Sequence, residues 1–253
     1  MGKGSPAVRR GCMATRSFEE GRCIPMEELF HLEKVLGFCE KVCYFVIVNL
    51  LFVVSNIPVL LFLLFAGASQ IRECLPLFLL CLLPMAPALS AVMYAMNRLI
   101  HDTQGSGLRD YKKGYCCDFL QKVRLGAGQL AVILICWTNI EFFTLQFRVL
   151  PLAILFILLF AAAILATPNL YMLSSRYEMG NIQIVKTAVT LLVARPASTL
   201  GNLAAFAVLL AAFEVSAGTT VLFMGSAYGF LVMFMNQAIM QKLESKPNIP
   251  QQG

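Results

Sequence analysis

The chain has 253 residues, of which 58% are hydrophobic and 13% are charged, and its formal net charge is +6. Soluble globular domains carry about 25% charged residues, so this composition excludes an ordinary soluble fold. The charges are gathered into short stretches between long apolar runs, which is typical of a chain that alternates between lipid and water. Because no basic segment with interleaved aromatic residues accompanies the positive charge, we expect no binding of nucleic acid.

The first 41 residues form a polar segment that we expect on the cytoplasmic side. Within it, Pro25 suits the first turn of a helix, and Met26, Leu29, Phe30 and Leu36 follow at helical spacing. This pattern predicts an amphipathic helix lying along the membrane interface. The next apolar run is longer than the core of a signal peptide, so we expect it to remain as a membrane anchor.

Six apolar runs approach or reach the length of about 20 residues that a helix needs to cross the hydrocarbon core. They cover residues 42–65, 75–96, 126–145, 149–171, 199–213 and 220–240, and the fifth is the shortest. The sequence therefore predicts an all-α polytopic membrane protein with about six transmembrane helices and interfacial amphipathic helices. Its transmembrane domain would cover residues 42–240, followed by a cytoplasmic tail over residues 241–253.

Lysine and arginine are divided unequally between the alternate connections of this layout. One side of the membrane would hold 18 of the 20 basic residues, and the other side would hold 2. Basic residues are retained on the cytoplasmic side of a membrane. Both termini are therefore predicted to be cytoplasmic, and the connections on the outer side are short.

Two more amphipathic helices are predicted in the cytoplasmic connections. The first covers residues 108–123, where apolar residues recur at steps of three and four between basic ones. The second carries Ile182, Val185, Val189 and Leu192 on one face, and Asn181 could cap its start. Each connection follows a tyrosine and leads to a similar segment, residues 128–131 or 201–204, so the unit of span, interfacial helix and span could occur twice.

Several segments agree in order and spacing with one known family. They are the residues from Asn49 to Ile57-Pro58, the run 87–94, and the polar residues 98–102 followed by Asp110 and Asp118. Over residues 37–206 the chain resembles the YesL-like family of predicted bacterial integral membrane proteins, also called domain of unknown function 624. This resemblance implies a six-helix protein of the bacterial cell membrane, associated with carbohydrate uptake as an accessory or permease-like component. It carries over no catalytic residue.

Polar side chains inside or near the apolar runs are candidates for contact with a solute, because lipid solvates them poorly. The candidates are Asn56, Ser90, Asn139, Glu141 and Glu214. If the third and fifth spans are neighbours, the two glutamates could form an acidic rim at the outer mouth of a pathway. The same residues are also consistent with hydrogen bonds between helices and with solvated helix ends.

A second set of candidates lies on the predicted helix over residues 108–123. Tyr111, Tyr115 and Phe119 form an aromatic stripe next to Lys112, and such a stripe suits docking to a partner, here a sugar transporter subunit. The stripe could equally rest on the protein itself or on lipid, with the lysines facing phosphates.

Catalytic and metal-binding patterns are missing from the sequence. The nine cysteines include no C-x-x-C pair, and we find no nucleophile elbow, H-E-x-x-H motif or phosphate-binding loop. We therefore expect that the protein binds no metal or other cofactor and that it is not an enzyme. The main hypothesis is a non-catalytic accessory component. A solute-conducting transporter and a membrane sensor or scaffold remain as alternatives.

Overall fold

The computed structural model describes residues 26–101, 105–145, 150–177 and 179–244, with side chains over residues 35–67, 69–101, 105–145, 150–177, 179–216 and 223–237. The chain divides into two units, Met1–Cys39 and Glu40–Gly253. In the first unit, residues 26–39 are described, and they are helical.

The described residues form ten α-helices and one short 3-10 helix at Ala68–Ile71, and they contain no β-strand. The α-helices are α1 (Met26–Ser55), α2 (Ile57–Ala66), α3 (Leu75–Cys81), α4 (Met85–His101), α5 (Gly107–Cys116), α6 (Phe119–Leu145), α7 (Leu150–Arg176), α8 (Asn181–Ala194), α9 (Pro196–Val215) and α10 (Ala217–Glu244). Among them, five segments are long and apolar enough to cross a membrane: Val35–Ser55, Leu75–His101, Phe119–Leu145, Leu150–Arg176 and Pro196–Val215. The predicted sixth span, residues 220–240, lies within α10. The protein is an all-α polytopic membrane protein, as predicted.

The predicted first span, residues 42–65, is wrong as a single helix. Helix α1 ends at Ser55, and α2 begins at Ile57 after a turn at Asn56. The break follows from Pro58, which lies in the first turn of α2 and has no N–H to donate to the preceding turn. Helix α1 runs unbroken through residue 41, where we expected the interfacial segment to end. The position of its first turns relative to the membrane stays a prediction.

The predicted amphipathic helix over residues 108–123 is also wrong, because it consists of parts of two helices. Helix α5 ends at Cys116, and α6 begins at Phe119. Between them Asp118 has a φ of 50°, in the left-handed region that ends a helix. A single residue in that conformation does not change the spacing of apolar residues along the sequence. The periodic pattern therefore continues across the turn.

Helix α8 forms as predicted, but it turns a different face to the protein. Ile184 and Ala188 are fully buried, whereas Ile182 and Val185 of the predicted apolar face are exposed. Asn181 does not cap the helix, because Gly180 occupies that position and the Asn181 Nδ2 donates to the Gln121 carbonyl at 3.4 Å. This bond connects the start of α8 to the start of α6.

Helix α4 is the central helix of the larger unit, with most of its residues buried from Ala86 to Leu99. It contacts α5, α6, α7 and α10. Small residues permit these close approaches: a Cβ on Gly126 would lie 2.4 Å from the Ala86 Cβ, and one on Gly229 would lie 2.6 Å from a Val92 methyl. The helices α4, α5 and α6 are followed by α7, α8 and α9 in the order that the suggested repeat requires.

Candidate functional site

Three asparagines inside the bundle form a chain of hydrogen bonds, which we call the amide chain: Asn169 of α7, Asn202 of α9 and Asn236 of α10. Each of them is at most 2% exposed. The Asn236 Nδ2 donates to the Asn202 Oδ1 at 2.9 Å, and the Asn202 Nδ2 donates to the Asn169 Oδ1 at 3.2 Å. The Ser198 hydroxyl extends the chain by bonding the Asn236 Oδ1.

The amide chain fixes the orientation of Asn202, since both polar atoms of its side chain are bound. Hydrogen bonds between membrane helices contribute about 0.6–2 kcal/mol each, so the chain ties α7, α9 and α10 together. The Nδ2 of Asn169 has no partner among the described residues. The Asn169 end of the amide chain therefore has a buried N–H donor that forms no hydrogen bond with the described residues.

A cavity of about 500 Å³ lies beside the amide chain. This volume is within the range of about 300–1,000 Å³ that small-molecule sites occupy. Residues of α1, α4, α7, α9 and α10 line it: Asn49, Phe52, Val53, Met85, Leu89, Ile164, Leu165, Thr167, Pro168, Thr199, Asn202, Leu203, Phe206, Leu209, Met224, Gly225 and Tyr228.

Most polar groups on the cavity wall already form hydrogen bonds with other groups of the same chain. The Asn49 Oδ1 accepts the backbone N–H of Gly225 at 2.9 Å. The Thr167 Oγ1 accepts the Gln129 amide at 2.7 Å and donates to the Ala163 carbonyl. The Thr199 Oγ1, in contrast, has no partner among the described residues, although Thr199 is only 6% exposed. A buried hydroxyl without a partner costs about 1–3 kcal/mol, and this oxygen is itself covered by protein atoms.

The cavity reaches the surface of the bundle between α7 and α9. Three of its lining residues are about half exposed: Ile164 at 49%, Leu203 at 50% and Phe206 at 43%. Ile164 lies near the middle of the span Leu150–Arg176, and Phe206 lies near the middle of Pro196–Val215. The opening is therefore at the level where these helices face lipid.

The five predicted solute-lining residues are not among those that line this cavity. Asn56 is buried at the α1–α2 turn, and its Nδ2 donates to the Phe52 carbonyl at 2.8 Å. Ser90 is fully buried on α4, and its hydroxyl has no partner among the described residues. Asn139 donates to the Ile135 carbonyl of its own helix. A role of these three in contact with a solute stays a prediction.

The two glutamates of the predicted acidic rim have different environments. Glu141 forms an ion pair with Arg72, whose Nη2 lies 2.7 Å from the Glu141 Oε1. This hydrogen bond raises the pKa of the Arg72 guanidinium further above its usual value. Glu214 is exposed near the end of α9. The charge of Glu141 is thus neutralised by Arg72. This pairing argues against an acidic rim that attracts cations.

The predicted docking stripe is only partly available to a partner. Tyr111 is 4% exposed, and its hydroxyl donates to the Ser55 Oγ at 2.9 Å, so the expectation that it faces a partner is wrong. Tyr115 stacks on Tyr111 and is half-buried, and burial raises the pKa of both phenols. Lys112 and Phe119 are exposed. Helical spacing placed all four on one helix, whereas the turn at Asp118 separates Phe119 from the others.

A buried polar cluster holds α5 against α1 and α4. The Tyr44 hydroxyl lies 2.9 Å from the Ala95 carbonyl oxygen and 3.0 Å from the Asp110 Oδ2. The Arg98 Nη1 lies 3.7 Å from the other carboxylate oxygen of Asp110. At the other end of α5, the Lys122 Nζ donates to the Gly114 carbonyl at 2.7 Å. A cation near the last carbonyls of a helix stabilises that end.

The residues of the cavity and of the amide chain were missed in the sequence analysis. Asn49 and Asn202 appeared there only as parts of a family segment and of a suggested repeat, and Asn169 and Asn236 were not considered. A usable signal was present, because each of these asparagines lies within or next to an apolar run, where an amide needs a partner. Which amides meet is not encoded in local spacing.

Comparison with known families supports the resemblance found in the sequence. Residues 45–140 match the family model described as protein of unknown function, DUF624. This matched segment resembles the DUF624 family. The DUF624 segment includes the α1 and α4 walls of the cavity, whereas the α7, α9 and α10 walls lie beyond it. No curated protein and no solved structure matches the chain.

Proposed function

We propose that this protein is a non-catalytic, permease-like or accessory component of the bacterial cell membrane that binds a small molecule in its intramembrane cavity and supports carbohydrate uptake. The observation that carries the binding role is the cavity of about 500 Å³, whose mostly apolar lining includes the polar side chains of Asn49, Thr167, Thr199, Asn202 and Tyr228. The link to carbohydrate uptake comes from the family resemblance.

The composition of the wall favours an accessory role over sugar conduction by this chain alone. A sugar carries several hydroxyl groups, and each one buried without a partner costs about 1–3 kcal/mol. The amide atoms of Asn202 and the hydroxyl of Thr167 are already bound within the protein. The wall is otherwise mostly apolar. A sugar would therefore lose more hydrogen bonds to water than it gains here.

Native mass spectrometry of the protein released from membranes tests whether the cavity is occupied. We expect a small-molecule adduct on the wild-type protein. Val53→Phe places a larger side chain at the cavity wall and should remove the adduct. Val132→Phe makes the same change on an exposed part of α6 and should keep it. A wild-type protein without adduct, or an adduct equally abundant in both variants, would contradict the binding role.

Sugar uptake separates the accessory role from conduction. We expect vesicles that contain the purified protein alone to take up no labelled glucose or maltose above the rate of empty vesicles. Uptake that Val53→Phe abolishes and Val132→Phe preserves would instead establish a transporter in its own right. Crosslinking in native membranes should identify a partner subunit of a sugar transporter.

The exposed surface at the α5–α6 turn is the part of the predicted docking region that could meet such a partner. Leu120 is 64% exposed next to Phe119, with Lys112 exposed on α5. We expect Phe119→Glu to reduce partner recovery after crosslinking, while Val132→Glu on the lipid-facing side of α6 should reduce protein yield instead. Unchanged recovery with Phe119→Glu would contradict docking at this surface.

A further inference from the structure

The wall of the cavity is mostly apolar and has no ionisable acid or base. The described residues that line it include no Asp, Glu, Lys, Arg or His. An ionised group enters an apolar cavity only at a large cost unless an opposite charge meets it there. The cavity is therefore suited to an uncharged occupant.

Four of the five polar side chains among the described lining residues are bonded within the protein or covered by it. The side-chain oxygens of Asn49, Thr167 and Asn202 each accept a hydrogen bond from another group of the chain. The Thr199 Oγ1 is covered by protein atoms. An occupant therefore has to find its polar partner elsewhere on the wall.

The fifth polar side chain, Tyr228 of α10, offers that partner. Its ring packs edge-to-face on Phe206, with ring centroids 6.0 Å apart and ring planes at 75°. Its hydroxyl forms no hydrogen bond with the described residues and is not among the polar atoms that protein covers completely. Phe206 is one of the half-exposed residues at the opening of the cavity, so Tyr228 lies next to the route that an occupant takes.

A carbonyl oxygen complements this phenol better than a second hydroxyl group does. The phenol donates one proton, and a carbonyl oxygen accepts it without bringing a proton of its own. Two hydroxyl groups bring two protons, and the hydrogen bond between them uses only one. The other proton would need a further acceptor, and a buried O–H without one costs about 1–3 kcal/mol.

We propose that the cavity binds an uncharged apolar molecule or chain that carries a carbonyl oxygen, as an ester or a ketone does. The carbonyl oxygen accepts a hydrogen bond from the Tyr228 hydroxyl, and the apolar part packs against Phe52, Leu89 and Phe206. This assignment rests on the proposed function, because it specifies the chemical class of the molecule that the cavity holds.

Photolabelling of the full chain in nanodiscs of ether-linked phosphatidylcholine tests the assignment, because this bilayer brings no carbonyl oxygen of its own. Four probes of equal chain length would carry a diazirine at the same carbon: a methyl ester, an alcohol, an alkane and a carboxylate. We expect saturable labelling by the ester at peptides of α1, α4, α7, α9 or α10, competed by methyl decanoate. At equal mole fraction in lipid, the other three probes should label these peptides more weakly.

A variant at Tyr228 measures the contribution of the hydroxyl. Tyr228→Phe should weaken labelling by the ester roughly three- to tenfold, as expected for one hydrogen bond, and leave labelling by the alkane unchanged. Labelling by the alkane also reports whether the variant keeps the cavity. Tyr115→Phe is the matched control, because Tyr115 lies on α5 and does not line the cavity, and it should leave labelling by the ester unchanged.

The outcomes distinguish the ligand class from the proposed function. Equal saturable labelling by the ester and the alkane, or ester labelling that Tyr228→Phe leaves unchanged, would overturn the ligand class while the cavity remained a binding site. Stronger labelling by the alcohol than by the ester would also overturn it. No saturable labelling of the cavity by any probe would overturn both the ligand class and the proposed binding role.

A second bilayer distinguishes two sources of the carbonyl group. In nanodiscs of ester-linked phosphatidylcholine, every lipid carries carbonyl oxygens on its acyl chains. Weaker labelling by the ester probe there would identify an acyl chain of the bilayer lipid as the occupant. Unchanged labelling would identify a separate uncharged molecule.

Discussion

The Oδ1 of Asn49 accepts the backbone N–H of Gly225 at 2.9 Å, so α1 and α10 meet through one side-chain amide across a separation of 176 residues. The contact depends on the missing side chain of Gly225. A Cβ there would lie 2.8 Å from the Asn49 Oδ1 and 2.9 Å from the Phe52 Cδ1. A larger residue at position 225 would therefore require Asn49 or Phe52 to shift at this wall of the cavity.

Gly225→Ala should destabilise the protein by about 1–3 kcal/mol, because the added methyl forces Asn49 and Phe52 to shift in a packed interface. The measurement is the temperature at which half of the detergent-solubilised protein is lost from its monodisperse chromatographic peak. Gly128→Ala is the matched control, since nothing lies within 4 Å of a Cβ at that position. Alanine favours a helix over glycine, so the control should retain or raise stability. Equal losses in both variants would contradict the contact.

Asn202→Leu should destabilise the bundle by about 1–2 kcal/mol, because it removes the middle of the amide chain and leaves Asn169 and Asn236 with unpaired groups. The same heating assay measures the loss. Asn139→Leu provides the control, since Asn139 bonds only the Ile135 carbonyl of its own helix among the contacts described for it. A larger loss for Asn139→Leu than for Asn202→Leu would show that the amide chain does not hold the helices together.

Tyr44→Phe should loosen α5 by about 1–3 kcal/mol, because it removes the hydroxyl that contacts both the Ala95 carbonyl and the Asp110 carboxylate. Hydrogen exchange followed by mass spectrometry should show faster exchange in the peptide that covers Gly107–Cys116. Tyr115→Phe removes a phenolic hydroxyl from α5 itself and should leave the exchange of that peptide nearly unchanged. If Tyr44→Phe left the hydrogen exchange of this peptide unchanged, packing alone would hold α5 in place.

The predicted orientation follows from the unequal distribution of basic residues, and amine labelling of intact cells tests it. An impermeant reagent should leave Lys112 unmodified until the cells are permeabilised, as judged by peptide mass spectrometry. Gln70→Lys adds an amine to the exposed connection between α2 and α3, on the predicted outer side, and should be labelled in intact cells. Labelling of Lys112 but not of residue 70 in intact cells would reverse the orientation.

The sequence predicted the approximate positions of the five segments that can cross a membrane, because transfer into lipid depends on local composition. It also predicted α8 and the helical character of residues 108–116. It failed at residues 56 and 117–118, where one proline and one residue of positive φ end helices that the apolar pattern would continue. Periodicity averages over several turns, so a break confined to one or two residues leaves it almost unchanged.

The amino-acid sequence by itself determined that this chain is a polytopic membrane protein. Each charged side chain placed in lipid raises the free energy on its own, so the local composition is enough to identify the apolar segments. Only the tertiary structure decided which polar groups meet. Asn169, Asn202 and Asn236 join into one chain, Thr199 remains without a partner among the described residues, and Tyr111 is buried against Ser55. These relationships depend on the packing of helices far apart in sequence, where a rotation of one helix exchanges a hydrogen bond for contact with lipid.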